Sequence, residues 1–282
     1  MNLENTVKKA SQILKNHNIH SHELDAQIIL SDIMEIKREF LITNNEINIS
    51  EKIMEKYDIA IKRRIKREPV AYIIGKKEFW SHNFRVNQST LIPRPESELL
   101  IYKLVNYFKN RRINILDIGT GSGCILLSLL KELHLSRGIG IDISSKAIKT
   151  AKLNSKKLNL FYRSKFKVVG INNFNIGKYD LIVSNPPYIA LKDMKNLSKD
   201  ILNYEPLIAL KGGFDGLDLI KKVIYKSKHL LKANGLLGIE VGTNQYVQAS
   251  KILKKNGFRE VSKECDCNYN VRCIISTKTQ FI

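Results

Sequence analysis

In the run Asp-Leu-Ile-Val-Ser-Asn-Pro-Pro-Tyr at residues 180–188, a side-chain amide stands directly before a proline pair. Asn185 offers an oxygen that accepts hydrogen bonds and an NH2 that donates them. Pro186 has no N–H, but its carbonyl is free to accept. Two acceptors side by side suit a planar NH2 group, which has two hydrogens to give. Tyr188, just past Pro187, supplies a flat face to cover such a group. The chemistry this predicts is reaction at a conjugated nitrogen. The competing reading is a plain Pro-Pro turn after a buried strand, and the glycine-rich stretch upstream weighs against it.

The elements that must position these residues follow from the flanking pattern. Leu181, Ile182 and Val183 form the short apolar run of a strand buried on both faces. It stops at Ser184-Asn185, because two prolines forbid further ladder pairing. Asn185 therefore belongs at the carboxyl end of a central strand, where open α/β sheets bind ligands. Upstream, a strand over 113–118 runs into Asp117-Ile118-Gly119-Thr120-Gly121-Ser122-Gly123. Glycines there let the backbone turn sharply and approach a ligand closely. The dinucleotide fingerprint wants Gly or Ala where Cys124 stands, and no Gly-Lys-Ser/Thr for nucleotide phosphates is present. Asp142, at the end of the next strand (138–143), is placed to accept both hydroxyls of a ribose, as an acid there does in nicotinamide enzymes. The spacing Asp-x-Gly-x-Gly-x-Gly is similar to that of S-adenosylmethionine methyltransferases. The resemblance implies that the acid and the loop hold the methionine moiety and ribose.

Further strands are predicted at 167–169, 179–184 and 236–241, with helices at 125–133, 144–154, 217–231 and 245–255. Two terminal strands near 258–265 and 271–276 suit an antiparallel edge hairpin. The class is α/β, a doubly wound Rossmann-like domain. Before it, apolar residues recur at helical spacing over 2–68, with Ser21 and Ser50 as candidate caps of a second and third helix. That region reads as a small all-α bundle for substrate recognition, and Lys62–Arg67 as a solvated basic face. A linker is expected at 69–90, with a hairpin turn at Ser81-His82-Asn83, and the catalytic domain at 91–282. Trp80, the chain's only tryptophan, is expected to anchor the linker. Two prolines stiffen the loop before the helix at 99–108, fit to hold it over a pocket.

No run approaches the ~20 apolar residues needed to cross a bilayer, and the start lacks a signal peptide's basic and apolar regions. A cytoplasmic protein is expected. Cys265, Cys267 and Cys273 match no common zinc spacing, so no metal is expected, and the histidines at 17, 20 and 22 read as solvated turn residues. Net charge is +20 and unevenly placed: residues 1–75 carry 12 Lys+Arg and 11 Asp+Glu, whereas 76–282 carry 35 and 16. A basic catalytic half attracts an acidic protein, RNA or DNA. Biased codon usage in a chain rich in Lys, Asn and Ile explains the same excess equally well.

With these residues in hand, the chain resembles the release factor glutamine methyltransferase family from about residue 5 to its end. The signatures are Arg-Glu-Pro-Val-Ala-Tyr at 67–72, Leu-Ile-Pro-Arg-Pro-Glu-Ser-Glu at 91–98 and the glycine loop at 117–123. Asn-Pro-Pro-Tyr-Ile at 185–189, Tyr-Glu-Pro at 204–206 and Gly-Gly-Phe-Asp-Gly-Leu-Asp at 212–218 complete them. The resemblance implies a class I S-adenosylmethionine methyltransferase, with S-adenosylhomocysteine as product. It would methylate the glutamine of the Gly-Gly-Gln tripeptide in class 1 peptide chain release factors, acting as a monomer. Asp117, Gly119, Thr120, Gly121, Ser122, Gly123, Asp142 and Asn185 would contact the cofactor. Asn185, Pro186, Pro187 and Tyr188 would hold the glutamine, with Asn185, Pro186 and Tyr188 catalytic. Family members usually show Ser-Asp-Trp-Phe against the adenine. This chain has Gly170-Ile171-Asn172-Asn173-Phe174, which puts Asn172 in the Asp position and Asn173 in place of the aromatic, and cofactor binding is expected to survive.

Three alternatives remain open on the residues. Enzymes that methylate exocyclic amines of nucleic-acid bases share Asn-Pro-Pro-Tyr, but a DNA enzyme flips its base and usually adds a target-recognition domain. The near-zero charge of residues 1–68 argues against that role. The ribosomal-protein glutamine methyltransferases have a similar layout, and Ile-Pro-Arg-Pro-Glu-Ser-Glu favours the release-factor branch. A non-catalytic binding module is disfavoured by the intact glycine loop, Asp142 and Asn185.

Overall fold

Helical spacing of apolar residues in the first quarter of the chain produces helices that bury one face each. In the computed structural model, which describes residues 1–44 and 46–279, these are α1 (Leu3–Asn16), α2 (His22–Ile33), α3 (Arg38–Thr43), α4 (Glu51–Ile65) and α5 (Val70–Ile74). Leu3, Ala10 and Leu14 of α1 pack with Ala26, Ile29 and Leu30 of α2 and with Tyr57 and Ile61 of α4. The Asn2 side chain accepts from the Asn5 N–H and caps α1. The short α3 and α5 were not expected, since six and five residues display no helical period. Pro69 stands past the end of α4 and is the N-cap of α5, where its missing N–H costs nothing. Gly75 closes it in the left-handed conformation at φ 73°. The basic run at 62–67 is not simply solvated. Arg63 grips Glu68 at 2.7 Å, and the buried Arg64 reaches Asp25 and Asp200 at 2.7 Å each. Met1–Lys76 and Ser198–Tyr204 make up this first compact unit.

The second unit comprises Lys77–Leu197 and the chain from Glu205 onward. From residue 76 the elements run β1 (Lys76–Phe79), β2 (His82–Arg85), α6 (Ser97–Phe108), β3 (Asn114–Ile118), α7 (Cys124–Glu132), β4 (Arg137–Asp142), α8 (Ser145–Lys157), β5 (Ser164–Val168) and β6 (Tyr179–Ser184). They continue with α9 (Lys199–Tyr204, part of the first unit), α10 (Asp218–Leu230), β7 (Leu231–Glu240), α11 (Tyr246–Lys255), β8 (Phe258–Cys265) and β9 (Val271–Lys278).

Seven strands form one sheet in the order β5-β4-β3-β6-β7-β9-β8. The first five are mutually parallel, and β9 and β8 add an antiparallel edge. This is the doubly wound arrangement that the alternating strands and helices predict. Successive residues of the central strands point to opposite faces. Ile115, Leu181 and Val183 join one core with Leu100, Leu104, Leu126 and Leu130. Leu116, Ile118 and Ile182 join the other, with Ile220, Ile224, Leu237 and Ile239. A continuous apolar run is what a strand covered on both faces requires.

Three details depart from the sequence reading, the first being the strand expected at 236–241, which begins at Leu231 and ends at Glu240. The β1–β2 turn is the pair Trp80-Ser81, one residue earlier than expected, with φ of 49° and 57°. Positive φ at both central positions is the type I′ geometry whose twist matches a hairpin. Trp80 is anchored, its backbone N–H donating to Glu98 and its indole N–H to Glu132, both at 2.8 Å. The strand expected at 167–169 begins earlier, at Ser164. β5 is an edge strand and tolerates the exposed Lys165 and Lys167, so it lacks the apolar run that marks a central strand.

Candidate active site

Strand register brings the three sequence motifs to one level. Ile118, the last residue of β3, pairs with Ile141 on one side and Ser184 on the other. The next residues along are therefore Gly119, Asp142 and Asn185. The Ser184 hydroxyl donates to the Ile118 carbonyl at 2.8 Å, locking β6 to β3 where both end. β4 and β5 lie on one side of β3, β6 and β7 on the other, so strand order reverses here, the position at which such sheets bind ligands.

A cavity of about 600 Å³ opens at this point. Of the expected site residues, Gly119, Thr120, Gly121, Ser122, Asp142, Asn185 and Pro187 line it. Leu91, Pro93 and Arg94 of the proline-stiffened loop line it too, as expected of a loop held over a pocket. That loop is tied down by Glu205, whose carboxylate pairs with Arg94 at 2.5 Å and accepts from the Ile92 N–H at 3.2 Å. The Leu-Ile-Pro-Arg-Pro-Glu and Tyr-Glu-Pro signatures thus meet as one ion-paired structure.

Six expected residues are outside the cavity wall. Asp117, in β3, and Gly123, where the loop enters α7, are both buried. Asn172 and Asn173 stand exposed on a single 3-10 turn, and Ile171, with Val169 and Ile143, forms the apolar wall in their place. Pro186 is buried, and its carbonyl accepts no hydrogen bond among the described residues. Tyr188 is not part of the lining, and its hydroxyl is engaged elsewhere.

The glycine loop has a physical reason for each of its three glycines. All have positive φ: 73° at Gly119, 54° at Gly121 and 82° at Gly123. A Cβ on Gly119 or Gly121 would meet nothing within 4 Å, so bare backbone faces open space. A Cβ on Gly123 would press on Ala151 and Leu127 at 3.2 Å, so this glycine permits helix packing instead. Asp142 holds the loop, its carboxylate accepting from the Gly121 and Ser144 N–H groups at 3.0 and 2.9 Å. The Asp117 Oδ2 accepts from the Thr120 hydroxyl at 2.6 Å, while its buried Oδ1 has no hydrogen-bond partner among the described residues. Burial pushes the Asp117 carboxyl up to about 7, against the lowering effect of the Thr120 bond. A buried, half-satisfied acid under a bare glycine cradle fits a ligand that brings a cation or donors. The chemistry of S-adenosylmethionine, a cationic amino acid joined to a nucleoside, meets that requirement.

The Asn-Pro-Pro-Tyr segment is clamped from two sides by residues that sequence reasoning missed. A Cβ on Gly212 would lie 2.7 Å from the Tyr188 Cα, and one on Gly216 would lie 2.4 Å from the Tyr188 carbonyl oxygen. The Gln245 side-chain amide donates to that same carbonyl at 2.8 Å, and its oxygen accepts from the Gly242 N–H at 2.9 Å. The Asn185 amide donates to the Ser97 hydroxyl at 3.1 Å, and Ser97 donates to Glu240 at 2.5 Å. The Tyr188 hydroxyl donates to Glu240 and accepts from Arg272, both at 3.1 Å. Burial raises the Glu240 carboxyl, and Ser97, Arg272 and Tyr188 oppose the rise. The available signal for Glu240 was an acid ending an otherwise apolar strand.

A family model described as PrmC N-terminal domain matches residues 5–75, and one described as Methyltransferase domain matches residues 109–278. The release factor glutamine methyltransferase of Clostridium acetobutylicum is 36% identical over 282 residues, covering 99% of both chains. That of Buchnera aphidicola subsp. Schizaphis graminum is 39% identical over 283 residues, covering 99% of this chain and all of the relative. Among solved structures, a methyltransferase from Pyrococcus furiosus matches with a TM-score of 0.53 at 16% identity, over 70% of this chain and 89% of that one. At that identity the likeness speaks to fold.

Proposed function

The chain belongs to the release factor glutamine methyltransferase family, and on that premise we propose that it methylates the side-chain amide nitrogen of the glutamine in the Gly-Gly-Gln tripeptide of class 1 release factors. Its cofactor is S-adenosylmethionine. The reading includes action as a monomer in the cytoplasm, with no membrane contact and no nucleic-acid contact needed for catalysis. Among the described residues no helix is long and apolar enough to cross a membrane.

The observation that carries the proposal is the placement of Asn185 in the cavity wall with its Nδ2 already committed to Ser97. Its Oδ1 makes no hydrogen bond among the described residues, so it remains as an acceptor for a substrate NH2. The Pro186 carbonyl, also unengaged, is the neighbouring acceptor for the second amide hydrogen. Gly119, Gly121 and Asp142 would receive the amino-acid and ribose parts of the cofactor, Asp117 would support the loop and its ammonium from below, and Val169 and Ile171 would wall the base. When bound, the cofactor would supply an electrophilic sulfonium methyl for the amide nitrogen, with S-adenosylhomocysteine as the leaving group and one amide proton released to solvent.

An amide nitrogen is a poor nucleophile because its lone pair is delocalised into the carbonyl. This chain's residues must therefore hold that nitrogen in line and at near-attack distance, which converts binding energy into orientation. Hydrogen bonds from the amide to Asn185 and Pro186 strengthen as the nitrogen becomes positive, so they favour the transition state over the ground state. No His, Asp or Glu lies within the motif, and none is required, since an alkylated amide nitrogen is strongly acidic. Tyr188 contributes by fixing the segment from behind, through Glu240 and Arg272.

The substrate class is tested by offering labelled S-adenosylmethionine with purified class 1 release factor, ribosomal proteins, DNA and RNA in separate reactions. Label on the release factor alone is expected. Label on ribosomal protein or nucleic acid alone would contradict the proposal.

A further inference from the structure

Glu240 is a buried carboxyl group with no solvent exposure, at the end of β7, bonded to Tyr188 of the proposed substrate site and to Ser97 of the cavity wall, and used by none of the chemistry above. Its oxygens are divided. Oε2 takes the Ser97 hydroxyl at 2.5 Å and Oε1 takes the Tyr188 hydroxyl at 3.1 Å. Ser97, itself 2% exposed at the start of α6, also meets the Asn185 Nδ2 at 3.1 Å. The chain of contacts is thus Glu240, Ser97, Asn185, and then the cavity.

We propose that Ser97 and Glu240 are positioning residues that hold the Asn185 side-chain amide in the one orientation that turns its oxygen to the substrate.

The argument is one of hydrogen-bond polarity, and it rests on the reading of Asn185 as the acceptor for a substrate NH2. Both Glu240 oxygens accept, Oε2 from the Ser97 hydroxyl and Oε1 from the Tyr188 hydroxyl, and a serine hydroxyl has a single proton to give. With Glu240 as neighbour, Ser97 gives that proton to the carboxylate and has only lone pairs left for Asn185. Ser97 then tolerates the NH2 of Asn185 and repels its oxygen. An asparagine amide has two orientations related by a half-turn, and their shapes are nearly identical. Packing alone does not separate them, but a neighbour of fixed polarity does. The same carboxylate sets Tyr188, which donates to Glu240 and so can accept from Arg272. One buried carboxyl group thereby orients both ends of the Asn-Pro-Pro-Tyr motif. A purely structural role for this site is met as well by an apolar side chain of similar volume, which carries no desolvation penalty. An acceptor oxygen for each of two hydroxyls is what the polarity requires.

The test compares wild type with Ser97→Ala, Ser97→Thr and Glu240→Gln. Turnover is measured on class 1 release factor, S-adenosylhomocysteine affinity by calorimetry, and solvent exchange of the Asn185 side-chain NH2 by nuclear magnetic resonance. Losing one orienting hydrogen bond is worth roughly tenfold in rate. Ser97→Ala should therefore lower kcat about tenfold while the affinity for S-adenosylhomocysteine is unchanged, and the Asn185 NH2 should lose its protection from exchange. Ser97→Thr, which keeps the hydroxyl, should restore both. Glu240→Gln carries its own NH2 and reverses the relay, so its kcat should fall at least as far. Wild-type kcat in Ser97→Ala, or equal loss of turnover and S-adenosylhomocysteine affinity with no rescue by threonine, would overturn the proposal. Absence of methylation by the wild type would instead contradict the reading of the substrate, and the exchange measurement on Asn185 would still decide the orientation.

Discussion

At the scale of single residues, the account turns on groups that are buried yet incompletely satisfied. Replacing Asn185 by alanine removes one of two proposed acceptors for the substrate amide. Loss of a single preorganised hydrogen-bonding group at a reacting centre costs on the order of 10²-fold in turnover. Asn185→Ala should show that loss in kcat, with S-adenosylhomocysteine affinity nearly unchanged; unchanged turnover would contradict the assignment. Asp117 makes a prediction about stability. Its carboxyl has an ordinary value of 3.8 and is held at about 7 by burial. Between those values the folded chain holds a proton that the unfolded chain has released, so its contribution to stability is retained below about pH 4 and lost as pH rises through 7. Fully ionised, it costs the unliganded protein on the order of 4 kcal/mol. Asp117→Asn, neutral at every pH, should melt above wild type at pH 8 and close to it below about pH 4. A gap independent of pH, read by calorimetry, would contradict this. Residue chemistry was the most legible level in the sequence: Gly119, Gly121, Asp142 and Asn185 all reach the cavity wall as their spacing implies. Asn172 and Asn173 do not, because a 3-10 turn over 171–173 leaves both exposed and puts Ile171 in the wall. A turn of that kind has no periodicity from which to read it. Ser97 and Glu240 are 143 positions apart, and no local pattern announces a contact made at such distance.

At the scale of elements, strand ends and turns do the positioning. β3, β4 and β6 terminate level with one another, and two glycines of the loop at 212–216 let it lie against the Tyr188 backbone. Gly216 has φ 78° and a hypothetical Cβ only 2.4 Å from the Tyr188 carbonyl oxygen. Gly216→Ala must displace one backbone or the other. It should raise KM for the release factor and lower kcat together, at least tenfold in kcat/KM, and also lower Tm. Wild-type kinetics would show that the clamp is not needed. The β1–β2 turn offers the opposite case. Ser81 holds φ 57° without being glycine, a conformation that costs an L-residue roughly 1 kcal/mol. Type I′ turns favour glycine at this second position, so Ser81→Gly should stabilise the protein by up to about 1 kcal/mol in denaturant titration. Destabilisation would mean that the serine is held for another reason. Two strands were read from the sequence to the residue: β6 at 179–184, marked by a short apolar run closed by prolines, and β8 at 258–265, bounded by the glycine before it and the turn after it. The hairpin turn slipped by one residue because His82 and Asn83 are common turn residues, whereas tertiary anchoring of Trp80 by Glu98 and Glu132 sets the actual register.

At the scale of the whole molecule, the alternation of strands and helices announced the doubly wound sheet and its antiparallel edge. What it left unread is the partition of the chain: Ser198–Tyr204 lies in the second half of the sequence yet belongs to the first compact unit, with Asp200 on the buried Arg64. An ion pair across 136 positions leaves no trace in composition or periodicity. Removing one partner of a buried pair costs about 3–5 kcal/mol when the other charge is left uncompensated, and less here, because Asp25 remains on Arg64. Asp200→Ala should therefore lower Tm, and Asp25→Ala, which removes the more buried of the two partners, should lower it further; wild-type melting points by calorimetry would contradict a stabilising role for the pairs. The central claim concerns the target atom: a glutamine amide presented to Asn185 and Pro186 at the carboxyl end of β6. It is tested most directly by measuring transfer of labelled methyl from S-adenosylmethionine to purified class 1 release factor, with a Gly-Gly-Gln to Gly-Gly-Ala version alongside. The account predicts label on the first and none on the second. Equal label on both, or none on either while S-adenosylmethionine still binds, would contradict it.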